Sequence, residues 1–250
     1  MPRFFLTDGS LTPDSVSAVL TGEDARHISL SLRMAVGDEV TLSDGVGNEY
    51  PCRLSSLTPT EVSVKVLGVN RSDREPSFPI HLYMAYPKGD KLELVIEKAV
   101  ELGATAITPF FSSRCIRRPG EDKTARLTER YNKIARAAAG QCGRAALPTV
   151  GAPLSFEAML ASARTCELTL FCYEGEGTVQ LPLVLADLPR PASVAVIVGA
   201  EGGFSPEEAA AARAARCVPT GLGKRILRCE TAPLVALSCL AYRYEFGQSV

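Results

Sequence analysis

A change of hydrophobic period near residue 76 constrains this chain more than any other feature. Before it, residues 39–43, 50–57 and 61–69 alternate apolar and polar positions, with Val62, Val64 and Val66 on one face. A period of two is that of a strand with one buried side. Asp44-Gly45-Val46-Gly47-Asn48 and Leu57-Thr58-Pro59-Thr60 supply turns between such strands. This part reads as a small antiparallel β-barrel. After the polar linker Asn70-Arg71-Ser72-Asp73-Arg74-Glu75-Pro76, apolar runs become continuous at 80–86, 106–111, 168–172 and 193–198. Helix-length segments separate them. Strands apolar on both faces belong to a covered parallel sheet, and parallel strands need long crossovers. The expected class is α/β, with domains at 1–72 and 76–250.

The crossover segments carry helix signals. Asp90 with Glu93 reads as a capping box, and Leu92, Val95, Ile96, Ala99 and Leu102 share one side of a helix ending at Gly103. A helix over 123–141 turns Leu127, Tyr131, Ile134 and Ala138 inward and keeps Arg126, Arg130, Lys133 and Arg136 on the opposite stripe. Ser205-Pro206-Glu207-Glu208 opens another helix, with cap, proline and acids in favoured places. A last helix runs through 234–244.

Composition excludes several function classes. No apolar run approaches the roughly 20 residues of a membrane span, and Asp8 falls where a signal peptide would carry its apolar stretch. The expectation is a cytoplasmic protein with no membrane partner. The eight cysteines include no Cys-x-x-Cys pair, and His27 and His81 are the two histidines. Neither a disulfide framework nor a metal site is therefore expected, and both histidines read as structural or surface groups. Net charge is −1, but residues 114–144 hold nine basic side chains against three acidic ones. That stretch is either a phosphate-facing patch or a solvated helix face.

Two segments place glycine and charge directly after apolar runs. Val198-Gly199-Ala200-Glu201-Gly202-Gly203-Phe204 is a glycine-rich turn before the Ser205 helix. It either cradles a ligand at the edge where open α/β sheets bind them or is a bare strand-to-helix turn. It lacks the glycine order of a dinucleotide site or a phosphate loop. The second is Gly221-Leu222-Gly223-Lys224-Arg225-Ile226-Leu227-Arg228-Cys229-Glu230-Thr231-Ala232-Pro233. Its apolar residues could enclose an aromatic ring. Arg228 and Glu230, just before a helix, form either an anion-holding pair or a surface salt-bridge loop.

Together these segments resemble the RsmE-like family of 16S rRNA (uracil-N3)-methyltransferases in the SPOUT superfamily, nearly end to end. Further matching stretches are Met1-Pro2-Arg3-Phe4-Phe5, Arg26-His27 through Val40, Pro87-Lys88-Gly89-Asp90-Lys91-Leu92-Glu93, Glu97 through Gly103, and Arg130-Tyr131-Asn132-Lys133-Ile134-Ala135. The resemblance implies a PUA-like barrel, a C-terminal domain with a trefoil knot, and a homodimer. It implies an S-adenosylmethionine pocket made by Phe171, Tyr173 and Glu174; by Val198, Gly199, Glu201, Gly202 and Gly203; and by Leu222, Gly223, Ile226, Leu227, Arg228, Thr231 and Ala232. It also implies a uridine in the decoding region of 16S rRNA, within the small ribosomal subunit, as substrate. Two positions depart from the family pattern: Gly140 stands where relatives carry an acid before Gln141, and Ala200 replaces a common proline.

Uridine N3 carries a proton and has no in-plane lone pair until that proton leaves. Arg228 is the first candidate to stabilise the anion, and Glu230 either accepts the proton or orients Arg228. Arg3, Arg26, Arg33, Arg114, Arg117, Arg118, Arg126, Arg130, Gln141 and Arg144 are candidates for RNA contact. Two alternatives stay open: the same scaffold acting on a ribose 2′-hydroxyl or on tRNA, and a non-catalytic RNA-binding assembly protein. A nicotinamide-dependent oxidoreductase is a more distant alternative, its glycine spacing being wrong.

Overall fold

The two periods correspond to two sheets in the computed structural model of the chain, which describes residues 1–116 and 118–246. The first sheet comprises β1 (Arg3–Phe5), β2 (Ser17–Thr21), β3 (Glu39–Ser43), β4 (Asn48–Leu57), β5 (Glu61–Val66) and β6 (Asn70–Arg71). Helix α1 (Gly22–Arg26) runs on into a π-helical turn, His27–Ser31. Strand order is β1-β3-β4-β5-β2, with β6 on β4. The pairing is antiparallel except that β1 lies parallel to β3. Alternation does what it predicts: Val62 and Val64 of β5 join Leu20, Val40, Leu42, Tyr50, Leu54, Phe4 and Ile28 in one core. Burying a side chain of this size contributes about 1.5–3 kcal/mol.

The compact unit on this sheet takes in Met1–Glu75 and also Ala139–Leu147, a segment that the change of period assigns to the second domain. Glu75 explains its attachment. Its Oε2 accepts from Nε and lies 3.0 Å from Nη2 of Arg144, and its Oε1 accepts from the N–H groups of Ala145 and Ala146 at 2.8 and 2.9 Å. Ser43 Oγ donates to the Ala145 carbonyl at 2.6 Å, and Leu147 N–H to that of Gly45. Arg144 is only 3% exposed. It is therefore a buried structural cation, which corrects its reading as an RNA contact. Arg3 needs the same correction: its guanidinium lies 3.0 Å from Glu49 with 8% of the side chain exposed, and Arg3 helps hold the Glu49 carboxyl below its usual range against the opposing push of burial.

The second sheet is parallel throughout and follows the order β10-β8-β7-β13-β11-β14-β12, with β9 on β8. Its strands are β7 (Ile80–Ala85), β8 (Ala106–Phe111), β9 (Thr149–Val150), β10 (Leu154–Ser155), β11 (Leu168–Cys172), β12 (Val179–Gln180), β13 (Val194–Val198) and β14 (Val218–Gly221). The helices are α2 (Lys91–Glu101), α3 (Glu121–Cys142), α4 (Phe156–Ala163), α5 (Leu181–Leu185), α6 (Pro206–Ala214) and α7 (Ala232–Tyr244). Every residue of β13 is buried, as a central parallel strand demands. Among the described residues no helix is long and apolar enough to cross a membrane.

The capping box expected at Ser205 is complete: Ser205 Oγ accepts from Glu208 N–H, and the Glu208 carboxylate accepts from Ser205 N–H. The one expected at Asp90 is absent. Asp90 sits at φ −100°, ψ 11° and makes no side-chain cap, while Glu93 pairs instead with Arg130 at 2.8 Å. An N-cap needs extended backbone to aim its oxygen at the first turn, and Asp90 lacks it. Gly103, at φ +91°, closes α2 as expected.

His81 of β7 stacks on Tyr83 at 3.9 Å and bonds Thr108 Oγ1 through Nε2 at 2.8 Å. Burial pushes its pKa from 6.5 down to about 4. Between those values the unfolded chain binds a proton that the native state refuses, so this contribution is present above pH 6.5 and lost as the pH falls towards 4. It amounts to about 2 kcal/mol once partial exposure is allowed for. Urea midpoints measured across this window should fall with pH, and His81→Gln should flatten that fall. An unchanged slope in the variant would move its cause to other groups.

Candidate active site

Three strands of the second sheet end level with one another. Cys172 of β11 is in register with Val198 of β13 and with Thr220 of β14. Their connections therefore leave from one carboxyl edge, where open parallel sheets bind ligands. They surround a cavity of about 1060 Å³.

The first wall is residues 173–178. Thr178 Oγ1 donates to the carbonyls of Tyr173 and Gly175, and Arg213 lies over the Tyr173 ring at 5.9 Å while donating to the Glu176 carbonyl. Tyr173 and Glu174 line the cavity. Phe171 does not. It is fully buried, with its ring 4.3 Å from that of Phe204, because its position on β11 points it into the sheet's packing layer.

The glycine-rich turn forms the floor: Val198, Gly199, Glu201, Gly202 and Gly203 all line the cavity. A Cβ on Gly199 would lie 3.1 Å from the Phe204 ring and 3.2 Å from Gly203 Cα, so a side chain there would press on the turn's own backbone. Gly203 adopts φ +62°, which glycine alone takes without strain. Arg114 donates to the Gly202 carbonyl at 2.9 Å and lines the cavity, so it belongs to the pocket rather than to an outer basic stripe.

The third wall runs from Gly221 to Ala232. Leu222, Gly223, Ile226, Leu227, Arg228 and Ala232 line it, whereas Thr231 does not; its N–H is turned back to the Arg228 carbonyl. Ile226 is 83% exposed, so it rims the cavity instead of closing it. Arg228 lines the cavity, and its guanidinium has no hydrogen-bond or ion-pair partner among the described residues. Glu230 forms no ion pair with it and is not among the residues that line the cavity: its carboxylate lies 3.3 Å from Lys91 Nζ and accepts from the Cys229 thiol at 3.2 Å. Burial alone would raise the Glu230 pKa, but backbone, Cys229 and Lys91 hydrogen bonds outweigh it and hold the carboxyl below its usual range. Burial pushes the Cys172 and Cys229 thiols up to about 12, so both stay protonated and neither is a nucleophile at neutral pH.

Several lining residues escaped the sequence reading, Gln180, Lys91 and Arg225 among them. Gln180 of β12 accepts from Gly223 N–H at 3.1 Å, and nothing in its local sequence signals this. Lys91 and Arg225 lie inside matching motifs, but the motifs alone assign them no role. Among the described residues no three His, Cys, Asp or Glu side chains gather as a metal site.

The remaining basic candidates fall into distinct situations. Arg26, Arg33, Arg126 and Gln141 are exposed. Arg118 donates to the Ser112 carbonyl at 3.1 Å and lies over Phe111. On the α3 stripe Arg130 pairs with Glu93 and Lys133 with Glu129, both as exposed contacts that bind weakly and release easily. Arg117 lies outside the described residues.

Comparison with known proteins agrees on one family. Residues 74–241 match the family described as "RNA methyltransferase domain", and residues 20–67 that described as "RNA methyltransferase PUA domain". The chain is 34% identical over 98% of both lengths to ribosomal RNA small subunit methyltransferase E of Bacillus subtilis (strain 168). A crystal structure of ribosomal RNA small subunit methyltransferase E from Neisseria gonorrhoeae bound to S-adenosyl methionine superposes with a TM-score of 0.85, at 30% identity and 98% coverage of each chain. A methyltransferase structure from Legionella pneumophila with bound SAM gives 0.84, at 32% identity and 96% coverage of each.

Proposed function

The chain belongs to the RNA methyltransferase family that includes ribosomal RNA small subunit methyltransferase E, and on that premise we propose that it methylates N3 of a uridine in 16S rRNA with S-adenosylmethionine as donor. The observation that carries the reading is the glycine-floored cavity at the carboxyl edge of the sheet, with the uncommitted Arg228 guanidinium beside it.

The cavity fits a nucleoside-sized donor. Its volume is ample for a small-molecule site. Gly199, Gly202 and Gly203 offer bare backbone on one side, and Leu222 and Leu227 offer apolar contact to a base on the other. Gln180 holds Gly223, so the backbone there is preset before anything binds. When bound, the donor supplies an electrophilic methyl on a cationic sulfur.

The residues of the chain do the rest. Arg228 donates hydrogen bonds to the uracil oxygens as negative charge develops on them, favouring loss of the N3 proton. Glu230 is the candidate proton acceptor. Its carboxyl is held below the usual range, so it is a weak base that takes the proton only as N3 becomes acidic during methyl transfer. The uridine has to be unstacked to reach the cavity. Arg26, Arg33, Arg118, Arg126, Arg130 and Gln141 are the proposed contacts along the RNA, with Arg114 at the pocket. The same reading includes a homodimer, a trefoil knot threaded by the last segments, domains for RNA binding and for catalysis, and cytoplasmic action on the small subunit.

Small subunits from cells lacking the endogenous enzyme test the reading. They are incubated with the protein and labelled S-adenosylmethionine, and the digested RNA is resolved by chromatography and mass spectrometry. N3-methyluridine in 16S rRNA is the expected product. A labelled ribose 2′-hydroxyl, or label in tRNA alone, would overturn the base assignment. The glycine floor has its own test. Gly199→Val should weaken S-adenosylmethionine binding at least about ten-fold by calorimetry, because the added carbons meet the Gly203 backbone. An unchanged affinity would remove this turn from the donor site.

A further inference from the structure

Lys91, the first residue of α2, reaches two carboxylates that belong to different walls of the cavity. Its Nζ lies 3.0 Å from Glu201 Oε1 in the glycine-rich turn and 3.3 Å from Glu230 Oε2 in the 222–232 loop. The Lys88 N–H donates to Glu201 as well, at 3.2 Å to Oε1. Glu201, which lines the cavity, is thus also tied to the entrance of α2. Exposure of the three side chains is 34% for Lys91, 31% for Glu201 and 17% for Glu230, so these contacts are partly withdrawn from water and stronger than a surface pair. Without the ammonium, two carboxylates that now converge on one nitrogen would repel each other and push the two walls apart. With it, the trio carries a net negative charge, which favours a cationic ligand.

We propose that Lys91 is a positioning residue that clamps the glycine-rich turn to the 222–232 loop through Glu201 and Glu230 and so presets the cavity for the methyl donor. The proposal rests on the donor reading above. It goes beyond that reading by assigning the preorganisation of two walls to one lining side chain through its two carboxylate partners.

The test combines two measurements on the full chain: S-adenosylmethionine affinity by calorimetry, and amide hydrogen exchange without donor. Lys91→Met should weaken affinity about ten-fold or more and speed exchange in residues 199–203 and 222–232, while β7 and β13 stay protected. Lys91→Arg should restore much of both, since it keeps the charge. Lys91→Met combined with Glu230→Gln should bind better than Lys91→Met alone, because the repulsion is gone. Unchanged affinity and exchange in Lys91→Met would overturn the clamp. So would accelerated exchange across the whole sheet, which marks general destabilisation. If the unsubstituted protein binds no donor but Lys91→Met still loosens both segments, the donor reading fails and the clamp between the walls stands.

Discussion

Arg228→Ala is expected to lower methyl transfer about 10²–10³-fold in kcat, the usual loss when a donor aimed at developing negative charge is removed. Arg228 lines the cavity and its guanidinium commits to no other side chain among the described residues, so its removal breaks no hydrogen bond or ion pair there. The donor cradle is built from backbone and apolar groups elsewhere in the cavity. S-adenosylmethionine affinity should therefore move less than about three-fold. Single-turnover transfer on small subunits with saturating donor, alongside calorimetry of the donor alone, separates the two effects. Equal losses in both would make Arg228 part of the donor pocket and leave the uracil anion without its proposed partner.

Glu75→Ala should cost about 3–5 kcal/mol of stability, because it leaves Arg144 buried without its carboxylate. The loss also strands the N–H groups of Ala145 and Ala146. Urea unfolding followed by circular dichroism reads the effect. Substituting both partners with apolar residues of similar volume, Glu75→Leu with Arg144→Met, should recover a large part of it. A loss below about 1 kcal/mol in Glu75→Ala would show that water reaches Arg144 and that its burial is not what fixes this corner.

Period and turn chemistry carried the fold a long way. Val62 and Val64 announced a half-buried strand, the unbroken apolar run at 193–198 a central parallel one, and Ser205 with Glu208 a complete capping box. These are local rules, and they worked where local geometry decides. They missed β1, β6, β9, β10, β12 and β14, which have two to four residues and show too little of any period, and also the five-residue β2, whose Ala-Val-Leu centre is apolar without a break although its burial alternates. Asp90 matched the box pattern yet failed it, since its backbone angle and the pull of Arg130 on Glu93 depend on packing. In the site, glycines and the charges beside them were legible because a bare backbone or an arginine after an apolar run has few other uses. Lys91 was not, because its two partners are more than a hundred positions away along the chain. Arg3 and Arg144 misled for the opposite reason: a charge is read by default as solvated, and only a distant carboxylate shows that it is interior.

The attachment of Ala139–Leu147 to the first unit bears on how this protein could have been assembled in evolution and how it can be taken apart in the laboratory. The first unit is not a portable module. A gene fragment ending at the polar linker would encode a Glu75 whose carboxylate has lost Arg144, Ala145 and Ala146, and a Ser43 hydroxyl without its carbonyl. Shuffling of such a unit between genes requires a second insertion point, within the coding sequence of α3 and the turn after it. Relatives that exchange or lose the N-terminal piece should accordingly show a compensating change at 139–147, a correlation visible in any deep collection of their sequences.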